Sequence, residues 1–356
     1  MTESSLQLLL NRLYTADLPD KADIEYVLSL DRQEDINTLF QFADEVRRRH
    51  VGDGILLRGI VEFSNYCDNA CQYCGLNRTN SGLPRYTLTG EEIMDCVRQI
   101  AACGIHTVVL QSGQRADLDA EWLAAIIRRI QAEWDTAVTL SVGEKTVQEY
   151  ALWKEAGADR YLLKIETTNP ILYDTLHPDT GFQNRLECSR QLKRLGYQNG
   201  SGNMVGLPGQ ALSDIADDIL FFARERFDMI GISPFIPHPE TVLGDCSVGD
   251  VNLALKAVAV TRIVTRDTHM PATTAIGSVN GLDYRPAALQ AGANVLMPNF
   301  TPAPYRRLYE IYPGKRCIAE AVGTSGLCMD GLAHAIGRTI DGSRGDSPRT
   351  KARVCA

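Results

Sequence analysis

The pattern of apolar and polar positions changes about fifty residues into the chain. Before this point, short apolar runs separated by charges recur at helical spacing, which predicts a small helical extension. After it, short β-rich runs alternate with amphipathic helical stretches, the first of which opens with a capping box formed by Thr89 and Glu92. We expect eight strands, in the runs ILLRGIVEF, HTVVLQS, AVTLSVG, DRYLLKIE, the stretch that ends at Met204, FDMIGIS, MPATTA and ANVLMP.

Strands that alternate with helices in this way form a parallel sheet, and eight such units close most readily into a barrel. The sequence therefore predicts the α/β class and a (β/α)8 TIM barrel, with an open doubly wound sheet as the alternative. We expect an N-terminal helical extension in residues 1–50, the barrel in residues 51–300 and a C-terminal extension in residues 301–356. The end of this extension, from Gly337, is polar and rich in Gly, Ser and Arg, which is typical of a flexible tail.

Composition narrows the class of partner. A formal charge of −8 and a pI near 5.4 provide no basic surface for nucleic acid or an anionic membrane. No apolar run approaches the roughly 20 residues of a membrane span, and the amino terminus lacks the order of a signal peptide. We therefore expect a cytoplasmic protein with no membrane or nucleic-acid partner. Ten cysteines in such a chain favour metal binding and buried thiols over disulfides.

Three cysteines follow directly on the first predicted strand. Cys67, Cys71 and Cys74 have the spacing Cx3Cx2C, which predicts that each binds one iron of a cubane cluster and leaves the fourth iron for another ligand. Zinc is the alternative, but a closed structural zinc site needs four ligands and no fourth lies nearby in the sequence.

This spacing, with an aromatic residue before the last cysteine, resembles the signature of the radical S-adenosylmethionine (SAM) superfamily. The resemblance implies one 4Fe-4S cluster on the triplet and an enzyme that cleaves SAM reductively to a 5′-deoxyadenosyl radical. It also implies that SAM contacts residues at the strand ends and beyond, although Ser112 and Gln114 depart from the superfamily's Gly-Gly-Glu element. The implied SAM contacts are Gln111, Ser112, Thr139, Glu166, Arg185 and Tyr309.

The fourth predicted strand carries charges on one face. Its period of two places Arg160, Leu162, Lys164 and Glu166 together on the side that faces the barrel interior. Buried charges are unfavourable unless they serve a ligand or one another. Two interpretations therefore stay open, a ligand site and a mutual salt-bridge network.

Longer stretches resemble one family within the superfamily, the HydE maturases of FeFe hydrogenase, from about residue 50 to residue 316. These stretches are YCGLNRTN, RYLLKIETTNP, MVGLPGQ, GISPFIPHPET, PATTAIG and MPNFTPAPYRRLYEIYPGK. The resemblance implies a role in assembling the di-iron subcluster, with a cysteine-bound iron carbonyl cyanide complex as substrate. It implies other hydrogenase maturases and an electron donor as partners. It also implies a substrate cavity lined by Arg160, Thr273, Thr274 and Tyr312, although Thr is also common in ordinary strands.

One feature departs from that family. Many members carry a second cysteine triplet near the carboxyl terminus, whereas here Cys317 and Cys328 are present and Ser325 occupies the third position. Two thiolates make a poor cluster site, so we expect a single cluster. The alternatives are a related barrel enzyme, such as methylornithine synthase or a biotin synthase-like protein, and a non-catalytic iron-sulfur scaffold. Biotin synthase holds a second cluster on strand cysteines, and no predicted strand here contains one.

Overall fold

The computed structural model describes residues 5–315 and 324–350, except for the side chains of residues 324–328. Parallel strands alternate with helices, as the sequence predicts. The strands are β1 (Ile55–Leu57), β2 (Gly59–Ser64), β3 (Thr107–Ser112), β4 (Ala137–Ser141), β5 (Ala158–Leu162), β6 (Gln198–Val205), β7 (Met229–Pro234), β8 (Val295–Leu296) and β9 (Ile340–Asp341). The α-helices are α1 (Ser5–Thr15), α2 (Lys21–Leu28), α3 (Gln33–Val51), α4 (Gly90–Ala102), α5 (Ala120–Glu133), α6 (Val147–Glu155), α7 (Pro170–Leu176), α8 (Phe182–Arg194), α9 (Leu212–Glu225), α10 (Val251–Thr265), α11 (Arg285–Gln290), α12 (Ala303–Arg306) and α13 (Thr324–Ala335). A 3₁₀ helix spans Ile276–Gly281.

Six strands form one parallel sheet in the order β2-β3-β4-β5-β6-β7, and three short strands form a second in the order β8-β1-β9. Single parallel bridges continue the ring, from Met229 to His269, from Pro271 to Val295 and from Ile60 to Asn299. The predicted α/β TIM-barrel fold is confirmed, but among the described residues no continuous hydrogen-bonded ladder closes the barrel.

The seventh and eighth predicted strands form few of the hydrogen bonds expected in the barrel sheet. The run MPATTA forms only isolated bridges, and the run ANVLMP forms a strand of two residues. Pro271 has no N–H group and cannot donate to a ladder, which is one physical reason for the interruption. The first predicted strand also divides at Arg58, into β1 and β2.

Helices α1 to α3 pack against α9 and α10 on the outside of the barrel. Buried residues of the extension, such as Leu10 and Leu39, belong to the same apolar cluster as Ile219 and Val260 of the barrel helices. Helix α10 is almost wholly buried because neighbours cover it on several sides, and its sequence VNLALKAVAVTRIVT is correspondingly apolar. The extension is therefore continuous with the barrel core. None of the helices in the described part of the chain is long and apolar enough to cross a membrane.

The segment from Gly337 to Thr350 differs from the expected flexible tail. Strand β9 pairs with β1, and Ser347 is buried. Asp346 accepts hydrogen bonds from Arg160 at 2.7 Å and from Gln198 at 2.8 Å, so this segment closes the amino-terminal end of the barrel. The tail prediction is therefore wrong for these residues, because the segment binds through charges and backbone groups that apolar periodicity does not reveal. The last six residues of the predicted tail lie outside the described part of the chain.

Candidate active site at the mouth of the barrel

The cysteine triplet lies on the loop that follows β2. All three thiols are partly buried and free of disulfides. Burial raises the pKa of each thiol, to about 12 for Cys71, and the proximity of Cys67 raises the pKa of Cys71 further. The three thiols therefore interact electrostatically. They stay protonated at neutral pH until a bound metal displaces their protons.

The loop between α7 and α8, residues 177–181, binds the cysteine loop through side-chain hydrogen bonds. The hydroxyl of Tyr73, between the second and third cysteines, lies 2.9 Å from Nε2 of His177, and the N–H of Ala70 donates to Asp179 at 2.6 Å. Arg78 donates to the other oxygen of the same carboxylate at 2.8 Å. Burial, and then a nearby guanidinium, lowers the pKa of His177 to about 3. The imidazole is therefore neutral and accepts from the tyrosine, since its Nδ1 faces a backbone carbonyl of α7 at 3.0 Å.

The donor set of this loop fits an iron-sulfur cluster better than a single metal ion. Among the described side chains, those of residues 5–315 and 329–350, no three of His, Cys, Asp or Glu converge closely enough to hold one ion. Thiolates that each bind a different iron of a cubane do not need to converge on one point. A closed zinc site would also need a fourth ligand. The chemistry of the three thiols therefore favours the cluster.

A cavity of about 280 Å³ opens beside this loop at the carboxyl ends of the strands. In a barrel of this kind, these ends are where ligands bind. The structure brings seven of the predicted cluster, SAM and substrate residues to its wall: Cys67, Cys74, Gln111, Ser112, Glu166, Arg185 and Tyr312. Cys71 lies between Cys67 and Cys74 on the same loop but does not line the cavity.

Two ion pairs organise the charges of the cavity wall. Lys164 Nζ lies 3.0 Å from Glu166 Oε2. Arg185, on α8, donates from Nε to Glu144 at 2.6 Å and from Nη1 to the carbonyl of Lys164 at 3.0 Å. The guanidinium is thus fixed in place at the cavity, and the salt-bridge interpretation of the fourth predicted strand holds for Lys164 and Glu166.

The end of β3 and the segment after α12 form another part of the site. Gln111 lines the cavity, and Tyr309 is buried beside it. Burial raises the pKa of Tyr309, and the carboxylate of Glu62 raises it further. Glu62 forms a buried ion pair with Lys315, whose ammonium lies 5.0 Å from the centre of the Tyr309 ring. This buried ion pair anchors the segment that carries Tyr309 and Tyr312 to the barrel.

Thr139 and Arg160 lie one layer deeper than the cavity wall. Ser141 lines the cavity, and Thr139 points the same way two residues earlier on β4. Its hydroxyl is buried and has no hydrogen-bond partner among the described residues. Arg160 is fully buried and does not line the cavity. Its Nε, Nη1 and Nη2 groups are bound at the amino-terminal end of the barrel, where the partners are Gln198, Thr107, Asp346 and the carbonyl of Arg344.

The expected substrate contact of Arg160 is therefore not supported by its position, because its guanidinium lies at the amino-terminal end of the barrel and does not line the cavity. Thr273 and Thr274 are half-buried and lie next to Ala275, which lines the cavity, although neither threonine does. The hydroxyl of Thr273 donates to the carbonyl of Ile232 at 3.2 Å.

The possible second cluster lies largely beyond what the structure describes. Cys317 is outside the described residues, and Cys328 belongs to α13 without a described side chain. The expectation of a single cluster therefore stays a prediction.

Sequence reasoning missed some residues of the site. Glu144, which fixes Arg185, follows β4 at the carboxyl edge of the sheet, so the rule that functional residues of a barrel lie at the carboxyl ends of its strands could have found it. Gln114 lines the cavity and also a larger outer groove of about 790 Å³, lined mostly by polar and charged side chains. The cysteine spacing, not the size of the groove, identifies the inner cavity as the reactive one.

Comparison with known proteins agrees with this geometry. Residues 61–222 match the model of the Radical SAM superfamily. The chain is 48% identical over 315 residues to the [FeFe] hydrogenase maturase subunit HydE of Thermotoga maritima, covering 88% of this chain and 90% of that protein. It is 27% identical over 302 residues to a biotin synthase of Cyanothece sp., covering 81% and 80%. The crystal structure of a methylornithine synthase superposes with a TM-score of 0.84 at 24% identity, covering 97% and 99% of the two chains, which is a likeness of fold.

Proposed function

Since the chain belongs to the radical SAM superfamily, and within it to the family of the [FeFe] hydrogenase maturase HydE, we propose that the cavity beside the cysteine loop is where it binds SAM and its maturation substrate. The protein is a radical SAM enzyme that uses a 4Fe-4S cluster and SAM, and its function is maturation of FeFe hydrogenase. The main support for this location of the SAM site is that the cysteine loop, Glu166 and Arg185 line the same cavity.

Cys67, Cys71 and Cys74 would hold the cluster at the cavity mouth. When bound and reduced, the cluster supplies the electron that breaks a carbon–sulfur bond of SAM to give a 5′-deoxyadenosyl radical. The protein supplies the position of SAM and excludes water from the reaction. His177 and Asp179, on the loop between α7 and α8, contribute by fixing the cysteine loop through Tyr73 and Ala70.

The cavity wall offers complementary groups for each part of SAM. Arg185 is a fixed cation for the carboxylate of SAM, and Glu166 is a carboxylate for its ribose hydroxyls. In the structure, Lys164 pairs with Glu166, so binding of the ribose would exchange an ion pair for hydrogen bonds. Gln111 and Ser112, at the end of β3, complete the wall, and buried Tyr309 and Thr139 would contact SAM from beside and below it.

The substrate would occupy the part of the cavity next to SAM. A cysteine-bound iron carbonyl cyanide complex is the substrate that family membership favours. We assign Tyr312, which lines the cavity, to this substrate, together with Thr273 and Thr274, which lie next to the wall. Arg160 is left out because its guanidinium is bound to the carboxyl-terminal segment.

This function requires partners and a reducing environment. The electron would come from a separate donor protein, and the product would pass to other hydrogenase maturases. An enzyme whose cluster depends on three free thiolates belongs in a reducing compartment, so we place it in the cytoplasm.

Two measurements test the proposal, one on the anaerobically reconstituted protein and one in cells. The reconstituted protein, supplied with SAM and a strong reductant, should form 5′-deoxyadenosine. The gene should also restore hydrogenase activity in cells that produce an FeFe hydrogenase and the other maturases but lack this one. The Cys71→Ala variant serves as control and should fail in both assays. Deoxyadenosine formation without hydrogenase activation would instead point to one of the related barrel enzymes.

A further inference from the structure

Glu166, the carboxylate that faces the cavity, has a backbone conformation that residues with side chains rarely adopt. Its φ is 64°, in the left-handed region, where the Cβ atom crowds the following carbonyl. Two backbone hydrogen bonds to β6 hold it there. The N–H of Glu166 donates to the carbonyl of Gly202 at 3.0 Å, and its carbonyl accepts from Met204 at 2.9 Å.

Asp218 binds both the chain just after this residue and the neighbouring strand β6. Its Oδ1 accepts from the N–H of Thr168 at 2.6 Å and from the Thr168 hydroxyl at 2.7 Å. Its Oδ2 accepts from the amide of Asn203 at 2.8 Å. Asn203 is the residue of β6 that forms a parallel bridge with Glu166. One carboxylate on α9 therefore ties the residue two positions after Glu166 to the strand partner of Glu166.

The three groups around Asp218 are all hydrogen-bond donors. They fit an ionised carboxylate, whose oxygens only accept. Asp218 is nevertheless fully buried and forms no ion pair with the described residues. Burial raises its pKa to about 7, and the hydrogen bonds from Asn203 and Thr168 limit that rise. A buried carboxylate without a cation is an unfavourable way to pack α9 against β6, so a role in geometry accounts better for Asp218 than packing does.

We propose that Asp218 is a positioning residue for SAM binding, which acts by holding the backbone of Glu166 in the left-handed conformation that directs its carboxylate into the cavity. This inference rests on the proposed function, because Glu166 matters there through its contact with SAM. Asp218 itself does not line the cavity.

The rival explanation is that Asp218 only stabilises the fold. Asp228 provides a matched control, because it is also a buried carboxylate that accepts a backbone hydrogen bond, from Asn199 at 3.0 Å. It precedes β7 and contacts the amino-terminal end of β6, far along the strands from the cavity. Asp218→Ala and Asp228→Ala remove the same atoms from comparably buried sites.

The experiment measures the KM for SAM, the kcat for 5′-deoxyadenosine formation, the iron content and the melting temperature of each variant. Asp218→Ala should raise the KM for SAM by about tenfold or more, because a misplaced binding group loses its contact, while iron per chain stays at the parent value. Asp228→Ala should lower the melting temperature without changing the KM.

A rescue variant separates geometry from stability more sharply. Asn203→Asp alone should place two carboxylates together and raise the KM for SAM. The double variant Asp218→Asn with Asn203→Asp exchanges donor and acceptor and leaves an oxygen for Thr168. Its KM should return close to the parent value.

The outcomes distinguish a failure of the positioning role of Asp218 from a failure of the proposed function. If the parent protein forms no deoxyadenosine, the proposed function fails independently of Asp218. If the parent is active and Asp218→Ala keeps the parent KM, or loses iron together with SAM binding, the positioning role is overturned. Should Asp218→Ala not fold, Asp218→Asn keeps the size of the side chain but turns an amide N–H towards one of the three donors, and an unchanged KM in that variant would overturn the role.

Discussion

Three cysteine side chains on one loop set the chemistry of this protein at the residue scale. We expect Cys71→Ala to lose most of its iron after anaerobic reconstitution, because two remaining thiolates hold a cubane cluster poorly. Cys103→Ala is the control, since that thiol is exposed at the end of α4 and belongs to no site described above. Iron analysis and the visible absorption of the cluster check both variants. Equal iron in the two would contradict the assignment.

Glu166 allows a second prediction at this scale. Glu166→Ala should weaken SAM binding by about 1.5 to 3 kcal/mol, the range for a hydrogen bond to a charged group. Iron content should stay at the parent value, because the cysteines lie on a different loop. Equilibrium dialysis with labelled SAM gives the affinity. Loss of iron in this variant would show that Glu166 supports the fold rather than the ligand.

The sequence reveals residues whose partners are near in the chain or whose spacing is itself the signal. The cysteine triplet is of this kind, and so is the pairing of Lys164 with Glu166, two positions apart just after β5. Arg160 is the opposite case. Its partner Asp346 lies 186 positions away, in a segment without apolar periodicity, so the sequence could show only that the charge needs a partner.

At the scale of elements, the carboxyl-terminal segment yields a prediction about pH. Burial alone would raise the pKa of Asp346, but the hydrogen bond from Gln198 and the charge of Arg160 outweigh it, so the pKa is lowered. The stability that this carboxylate contributes is therefore complete at neutral pH. It is lost as the pH falls below about 3.9, the unfolded carboxyl value, and through the lower folded value.

Asp346→Asn should accordingly lower the free energy of unfolding by roughly 1 kcal/mol at pH 7, a modest value because the side chain is one-third exposed. The difference from the parent protein should shrink as the pH falls towards about 3. Urea unfolding at several pH values measures it, with the exposed Asp330→Asn as control. A difference that grows on acidification would refute the sign argued here.

Elements with a strong local signal were predictable, and elements stabilised from a distance were not. Strands β2 to β5 and β7 coincide with β-rich runs, and the capping box of Thr89 and Glu92 begins α4 as expected. Strand β9 has two residues within a stretch rich in Gly, Ser and Arg, and it exists because β1 offers it an edge. The sequence carries no pattern for such an edge.

At the scale of the whole molecule, we predict the number of iron-sulfur clusters per chain. We expect about four irons per reconstituted chain, since only one cysteine triplet is complete. The double variant Cys317→Ser with Cys328→Ser should keep this number and the parent rate of deoxyadenosine formation. Iron counting and electron paramagnetic resonance of the reduced protein check this. About eight irons, with half lost in the double variant, would establish a second cluster.

The position of β1 between β8 and β9 has a consequence for how the molecule is made. Both neighbours of this first strand come from the far end of the chain. During synthesis, β1 must therefore wait unpaired until β8 and β9 have emerged from the ribosome, while β2 to β7 can already pair in the order in which they emerge. Contacts between distant parts of a chain form slowly, so we infer that closure of the barrel is a late step of folding.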